Sequence, residues 1–175
     1  ADAFNQPLGF DTASVTTFES MFEGSVDGGH AFNQPVPFDT SAATTMAHFV
    51  DDTLHFNQPV AFDVASVSDF FLMFYHARSF NQPVAFDTRA ATNMHAFFAG
   101  ALLFDQPVAF TTSNVTNVDS MFDGAASFNH PLSTFDTSST TTMNELFRDA
   151  VAFNQPLELD VSSTTDLQGI FLGAT

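Results

Sequence analysis

The chain has 175 residues, with 20 Asp plus Glu, three Arg, no Lys, no Cys and 24 Phe. So much Phe excludes a disordered acidic tail, and a formal net charge of −17 excludes a nucleic-acid-binding protein, because phosphate contacts need Lys and Arg. No apolar run approaches the ~20 residues of a membrane span, and the absence of Cys excludes disulfides and thiolate zinc sites.

A repeat dominates the sequence. Phe-Asn-Gln-Pro or a near copy recurs at spacings of 28, 24, 24, 24, 24 and 25 residues, so seven units cover residues 1–175 as a single array without a second domain. An insertion at Asp27-Gly28-Gly29 lengthens the first unit, and one extra residue near Ser133 lengthens the sixth. The repeats start at Phe4, Phe32, Phe56, Phe80, Phe104, Phe128 and Phe153.

The pattern within one unit predicts its elements in chain order. Counting from the first Phe, and leaving the extra residue of the sixth unit uncounted, positions 5 to 8 read Val-Ala-Phe-Asp, whose alternation predicts a short strand. Apolar residues at positions 15, 18, 19 and 22 follow the spacing of a helical face. Phe dominates positions 1, 7 and 19, which predicts three aromatic ladders.

These elements predict an α/β repeat solenoid, similar to leucine-rich repeats, with seven stacked coils that each hold a short strand and a short helical segment. No polar cap is evident at either end, so we expect a fragment of a longer array or a subunit that stacks end to end.

The segment from Phe110 to Phe122, Phe-Thr-Thr-Ser-Asn-Val-Thr-Asn-Val-Asp-Ser-Met-Phe, together with Phe-Asn-Gln-Pro, carries a resemblance to a known family. It resembles the BspA-like bacterial surface-protein repeat, a relative of leucine-rich repeats, over about residues 4–175. One departure is Phe where that family usually has Trp. The resemblance implies a solenoid on surface or secreted proteins with roles in adhesion and recognition, and it implies no catalytic residues.

Two outward columns of the predicted strand are the candidate ligand-binding residues. Asp followed by Thr-Ser is typical of an Asx-turn, in which the carboxylate accepts a backbone N–H two residues on. The alternative is a bridging hard cation such as Ca²⁺, because carboxylates one coil apart repel. Small Ala side chains beside them would let a partner approach. The candidates are Asp11, Asp39, Asp63, Asp87, Asp136, Asp160, Ala61, Ala85 and Ala109.

Hydroxyl and amide columns have structural interpretations. Position 13 precedes the predicted helix, where Thr and Ser act as N-caps; a regular Thr row, with a second row at position 9, is also what ice binding would need. The Asn column at position 2 predicts backbone-bonding ladders. The position 13 residues are Thr16, Thr44, Ser68, Thr92, Thr116, Thr141 and Thr164.

No motif indicates an enzyme. The six His occupy different repeat positions and no two have the spacing of metal ligands, so we predict no metal site and no catalytic residue. The irregular stretches Gly24 to His30, Asp51-Asp52 and Tyr75-His76 carry no nucleophile or phosphate-binding motif.

The sequence therefore predicts a non-enzymatic module at the cell surface or outside the cell, which recognises a protein or polysaccharide partner and does not insert into membranes. Two alternatives remain open. One is a structural subunit whose ends self-associate into a filament or surface layer, and the other is ice binding through the Thr rows.

Overall fold

The computed structural model describes residues 3–25 and 31–174, which leaves the Asp27-Gly28-Gly29 insertion outside the described residues. Over those ranges the chain has neither a helix nor an extended strand. The predicted α/β solenoid, with a strand and a helical segment in every coil, is therefore wrong. Each repeat instead forms one layer of turns, and isolated parallel bridges join successive layers. These are Thr17↔Thr45, Thr45↔Asp69, Asp69↔Asn93, Val84↔Val108, Asn93↔Asn117, Asn117↔Thr142 and Thr142↔Asp166.

The predicted helical segment is a chain of β-turns. In the fourth repeat the N–H of Phe97 donates to the carbonyl of Met94, three residues back, at 3.3 Å, whereas an α-helix requires a carbonyl four residues back. The N–H groups of Ala96 and Phe98 instead donate to the next layer, to the carbonyls of Asp119 at 2.8 Å and Met121 at 2.9 Å. Backbone donors thus alternate between the residue's own turn and the neighbouring layer.

Positive φ angles at positions 17 and 21 explain why no helix forms. A residue with positive φ interrupts a right-handed helix and fits the third place of a type II turn. Position 17 has positive φ in all seven repeats, at Ser20, His48, Leu72, Ala96, Ser120, Glu145 and Gly169. Position 21 has it in the second to seventh repeats, at Asp52, His76, Gly100, Gly124, Asp149 and Gly173.

The burial predicted from the apolar spacing is confirmed although the helix is not. Met94, Phe97, Phe98 and Ala101 occupy positions 15, 18, 19 and 22 of the fourth repeat, and all four are fully buried. A turn that repeats every four residues also turns two neighbouring side chains inward. The i, i+3, i+4, i+7 pattern therefore does not distinguish it from a helical face.

Positions 5 to 8 show the predicted alternation without the predicted strand. Val84 and Phe86 are buried while Ala85 is exposed. One isolated bridge, Val84↔Val108, joins two layers in this segment, and side chains supply further links between layers. The Thr88 hydroxyl donates to the carbonyl of Thr111 at 2.9 Å, and it accepts the N–H of Thr111 at 3.0 Å.

The predicted aromatic ladders are present to different extents. The position 1 ladder is continuous from Phe4 to Phe153, with ring centroids of adjacent layers 5.9 to 6.2 Å apart. The position 19 ladder runs from Phe74 to Phe171 and is broken by Val50. Every position 19 ring before Phe171 also stacks on the Phe that follows it in position 1, as Phe98 does on Phe104 at 3.9 Å. Position 7 contributes shorter runs of stacked rings.

Within the described part of the chain, no helix is long and apolar enough to span a bilayer.

Candidate functional site

The predicted Asx-turns are confirmed along the whole Asp column. One carboxylate oxygen of each Asp accepts the backbone N–H two residues on, at 2.8 to 3.3 Å. Five of the six residues are exposed, and Asp87 is half-buried. The carboxylates therefore stabilise the turns and still face solvent. They are Asp11, Asp39, Asp63, Asp87, Asp136 and Asp160.

Hydrogen bonds within these turns lower the pKa of several carboxyls. The Ser41 hydroxyl, followed by its backbone N–H, holds the pKa of Asp39 below its ordinary value, and Ser138 and Ser162 do the same for Asp136 and Asp160. The pKa of Asp87 is lowered by its hydrogen bond from Arg89, which lies 2.6 Å away. Donors that bind the charged form favour it, so these four carboxyls are held ionised.

The predicted Ala residues lie on the same face as the Asp column. Ala61, Ala85 and Ala109 are exposed, and each lies two residues before position 8 on a segment whose side chains alternate inward and outward. We call these three Ala and the six Asp the Asp–Ala face. No residue of the face is buried, and the Phe and Val side chains between its members anchor it to the core.

The Thr rows differ from their prediction in three ways. The five Thr of position 9 are buried: Thr40, for example, is 2% exposed and donates to the carbonyl of Asp63, so these Thr form no second surface row. Position 13 is exposed, but it caps no helix; the Thr92 hydroxyl donates to the carbonyl of Ser68 at 3.2 Å. In the last repeat the count from Phe153 places Thr165, not Thr164, at position 13, and the N–H of Thr165 donates to the carbonyl of Thr141.

The turn-capping role belongs instead to position 14, one residue after the predicted column. The Asn93 side-chain oxygen accepts the N–H of His95 at 3.1 Å, and Asp69 accepts that of Phe71 at 3.1 Å. The predicted Asn ladder at position 2 is confirmed. The side-chain oxygen of Asn57 accepts the N–H of Asn81 at 2.9 Å, and equivalent bonds join all seven layers.

A groove of about 440 Å³ lies on the side of the array formed by positions 20 and 21. Its lining includes Tyr75, His76, Gly100, Leu102, Asp123 and Arg148. Sequence reasoning identified Tyr75-His76 as irregular and missed the others, because the residues at positions 20 and 21 differ from repeat to repeat. A variable column inside a regular repeat was the signal for this groove.

A second polar group, formed by Glu23, His48 and Asp51, lies in the first two repeats. One oxygen of Asp51 is 2.6 Å from His48 Nδ1, and a donor atom from each of the three residues lies within 4.8 Å of the others. Asp51 is 5% exposed, and this burial raises the pKa of its carboxyl. Its Oδ1 atom is buried and has no hydrogen-bond partner among the described residues.

These contacts modify the prediction made for the His residues. Three His of the described chain face a carboxylate: His48 faces Asp51, His76 Nδ1 lies 3.0 Å from Asp52, and His130 Nε2 lies 3.3 Å from Asp105. His30 lies outside the described residues. Repeat stacking, rather than local sequence, brings Asp52 to His76 and Glu23 to Asp51, whereas His48 and Asp51 lie three residues apart in one turn.

Comparison with known proteins gives one family. A family model described as "Mycoplasma protein of unknown function, DUF285" matches residues 1–109 and, in a second match, residues 84–175. The two matches overlap and together span the chain, as expected of a repeat family. Neither the curated proteins nor the solved structures contain a match.

Proposed function

We propose that the chain, which belongs to the DUF285 family through two overlapping matches, is a non-enzymatic extracellular repeat module for adhesion or recognition. Its resemblance to the BspA-like surface repeat supports this placement at the cell surface. The proposed partner is a polysaccharide or a protein with a repeating surface of its own.

The observation that carries the proposal is the regular exposure of the Asp–Ala face. Ala61, Ala85 and Ala109 are exposed in three successive layers, and an Asp side chain accompanies two of them, at Asp63 and Asp87. Layers joined by parallel bridges are about 4.8 Å apart. The same small chemical group is therefore presented at a fixed interval along the array.

Multivalency is the proposed mechanism. A single exposed Ala and a single solvated carboxylate bind weakly, but contacts held at fixed spacing add along a polymer with a similar period, which raises avidity by about 10²–10⁴ without new chemistry. The Phe ladders and the Asn ladder keep the layers in register. Binding therefore loses little conformational entropy, because the contact residues are already ordered.

The test measures retention of the chain on cellulose, chitin and xylan particles. Three variants are compared with the unmodified chain: the single variant Ala85→Arg, the double variant that adds Ala109→Arg, and the triple variant that also adds Ala61→Arg. We expect retention on at least one polymer to decline stepwise, by about tenfold or more in the triple variant. Leu103→Arg adds the same charge at an exposed site away from the face and serves as the control. Retention on none of the polymers, or retention that the triple variant leaves unchanged, would contradict recognition of a polysaccharide by this face.

End-to-end assembly is the second candidate, favoured by apolar side chains exposed in the first and last layers. Phe10 is 58% exposed in the first layer, and Leu172 is 64% exposed in the last. Stacking of one copy on another would extend the ladders and cover both. Sedimentation velocity across a concentration series tests this: growth that Leu172→Asp abolishes supports assembly, and a monomer at all concentrations refutes it.

Ice binding is a weaker third candidate because only one Thr row remains at the surface. The position 13 row is exposed in all seven layers, with Thr165 as its member in the seventh, whereas all five Thr of position 9 are buried. Measurement of thermal hysteresis at high protein concentration decides it, since a purified ice-binding protein must separate the melting and freezing temperatures.

A further inference from the structure

Two groups of ionisable side chains occupy equivalent places in the array. Repeats five and six supply Asp123 at position 20, Glu145 at position 17 and Arg148 at position 20. Repeats one and two supply Glu23, His48 and Asp51 at the same three positions in the same order. Each group therefore contains two carboxylates and one nitrogen-bearing side chain, held together by the stacking of adjacent layers.

In repeats five and six, an internal cation pairs with both carboxylates. Arg148 Nε donates to Asp123 at 2.9 Å, and one terminal guanidinium nitrogen lies 2.6 Å from Glu145. A second terminal nitrogen also pairs with Asp123. The group is complete as it stands, because one guanidinium holds both negative charges.

In repeats one and two, the carboxylates have no such cation. The chain has no Lys, and none of its three Arg side chains makes a hydrogen bond or ion pair to Glu23, His48 or Asp51, all six residues being described. The Asp51 side chain is only 7% exposed, and its Oδ1 atom has no partner in the described chain. A buried, unpaired carboxylate oxygen is costly unless a hydrogen-bond donor or a cation satisfies it.

We propose that Glu23, His48 and Asp51 form a binding site for a divalent transition-metal ion of the Zn²⁺ type, in which the metal takes the role that Arg148 has in the equivalent group. The three donor atoms already lie within 4.8 Å of one another. Two carboxylates and a neutral imidazole carry a charge of about −2, which matches a divalent ion, and each is an ordinary zinc ligand.

The geometry requires only small adjustments. Ligand atoms about 2.0–2.2 Å from a tetrahedral zinc ion lie about 3.3 Å apart, so His48 Nδ1 and the Asp51 oxygen must separate from 2.6 Å. Glu23 is exposed and can rotate inward. A water molecule would complete the fourth position.

The local backbone holds the His48 ring and Asp51 in place. His48 has φ of 55° at the third place of a turn, and its ring packs edge-on against Phe71 at 5.1 Å. The Asp51 N–H donates to the carbonyl of His48 at 3.4 Å, which closes the turn that carries both ligands. Two of the three ligands are thus preorganised.

The ligand set distinguishes transition metals from calcium. Ca²⁺ takes six to eight oxygen ligands in typical sites, whereas this group offers two carboxylates and an imidazole nitrogen. Imidazole favours Zn²⁺, Cu²⁺ and Ni²⁺ over Ca²⁺ and Mg²⁺. We therefore expect the site to ignore millimolar Ca²⁺ while it binds Zn²⁺.

Isothermal titration of the full chain with ZnCl₂ at neutral pH tests the proposal. We expect one equivalent of Zn²⁺ to bind saturably. The affinity should fall by at least about 10–100-fold in Glu23→Gln and in His48→Asn, because loss of a residue that only supports a metal ligand already has an effect of that size. Asn tolerates positive φ, so His48→Asn should keep the turn. Glu23 is exposed, so Glu23→Gln tests the site without disturbing the core.

Two matched variants serve as controls. Glu145→Gln makes the same change in the group that Arg148 neutralises, and His55→Asn removes an exposed His outside the site; both should bind Zn²⁺ as the unmodified chain does. Visible absorption of the Co²⁺-loaded chain gives a second measure, since a tetrahedral site produces strong bands that His48→Asn should remove. The proposal is overturned if no saturable equivalent binds, or if Glu23→Gln and His48→Asn bind Zn²⁺ unchanged. Zinc binding is independent of the recognition proposed for the Asp–Ala face, so failure of one does not decide the other.

Discussion

Replacement of Phe104 by Ala tests whether the position 1 ladder carries the stability of the array. Phe104 is fully buried, and its ring stacks on Phe80 at 6.1 Å, Phe98 at 3.9 Å and Phe128 at 5.9 Å. Loss of a buried Phe costs about 3–5 kcal/mol through lost transfer energy and the cavity left behind. We expect Phe104→Ala to lower the free energy of unfolding by that amount.

Phe4→Ala is the matched variant at the end of the same ladder. Phe4 is 40% exposed and stacks on Phe32 at 6.1 Å. Because burial of a whole Phe contributes about 1.5–3 kcal/mol, we expect a loss of about 1–2 kcal/mol here. Phe104→Leu keeps most of the apolar volume and removes the ring contacts, so its loss should be about 1–3 kcal/mol.

Equilibrium unfolding in urea, followed by circular dichroism, measures all three variants. We expect Phe104→Ala to be the most destabilising variant. Phe104→Leu should come second, and Phe4→Ala should lose as much stability as Phe104→Leu or less. Equal losses for Phe104→Ala and Phe4→Ala would refute the reasoning, because the interior ring would then contribute no more than the ring in the first layer.

Three further predictions concern the turns. Ser41→Ala should raise the pKa of Asp39 toward its ordinary value of 3.8 in a carboxyl-detected NMR titration, because the Ser41 hydroxyl is the largest cause of the lowered pKa. The lowered pKa of Asp39 adds stability above pH 3.8, and this stability is lost as the pH falls through the folded-state pKa. The Ser41→Ala variant should therefore unfold in acid at a slightly higher pH. An unchanged pKa of Asp39 in this variant would exclude this role of Ser41. Gly124→Ala should cost about 1–2 kcal/mol in thermal unfolding for its positive φ alone, and Gly100→Ala should cost more, since its added Cβ would also overlap the His76 ring; equal losses would contradict this. Far-UV circular dichroism should lack the paired minima of an α-helix, and their presence would contradict the β-turn chain.

Features that depend on one residue type at one repeat position were predictable from the sequence. A carboxylate followed by small polar residues has few local options, so Asp39 and its equivalents were correctly predicted to form Asx-turns. The Asn57 ladder and the continuous Phe column follow similarly, because identical side chains one repeat apart must meet when repeats stack.

The backbone of positions 15 to 22 was not predictable from the same pattern. His48 and Leu72 adopt positive φ although neither is Gly, and the inter-layer bonds that hold them, such as His48 N–H to the carbonyl of Phe71, exist only after stacking. Apolar spacing reports which side chains are buried and not how the backbone turns between them. The predicted helix was therefore right about which side chains are buried and wrong about the backbone hydrogen bonds.

The zinc-type site was also beyond the sequence pattern. Glu23 and Asp51 are 28 residues apart, and they meet because position 20 of one layer lies over position 20 of the next. A search for His pairs at short spacing misses a site whose ligands come from two layers. Its local signs were the irregular pair Asp51-Asp52 and the three-residue spacing of His48 and Asp51.

Carboxyl footprinting tests the proposed recognition face most directly. The chain is labelled with a carbodiimide and an amine in the presence and absence of the polymer that retains it, and each Asp is then quantified by mass spectrometry. We expect bound polymer to protect Asp39, Asp63 and Asp87 together, while exposed Glu19 and Asp149 stay labelled. Protection of Glu19 and Asp149 with Asp39, Asp63 and Asp87 unprotected would contradict recognition through the Asp–Ala face.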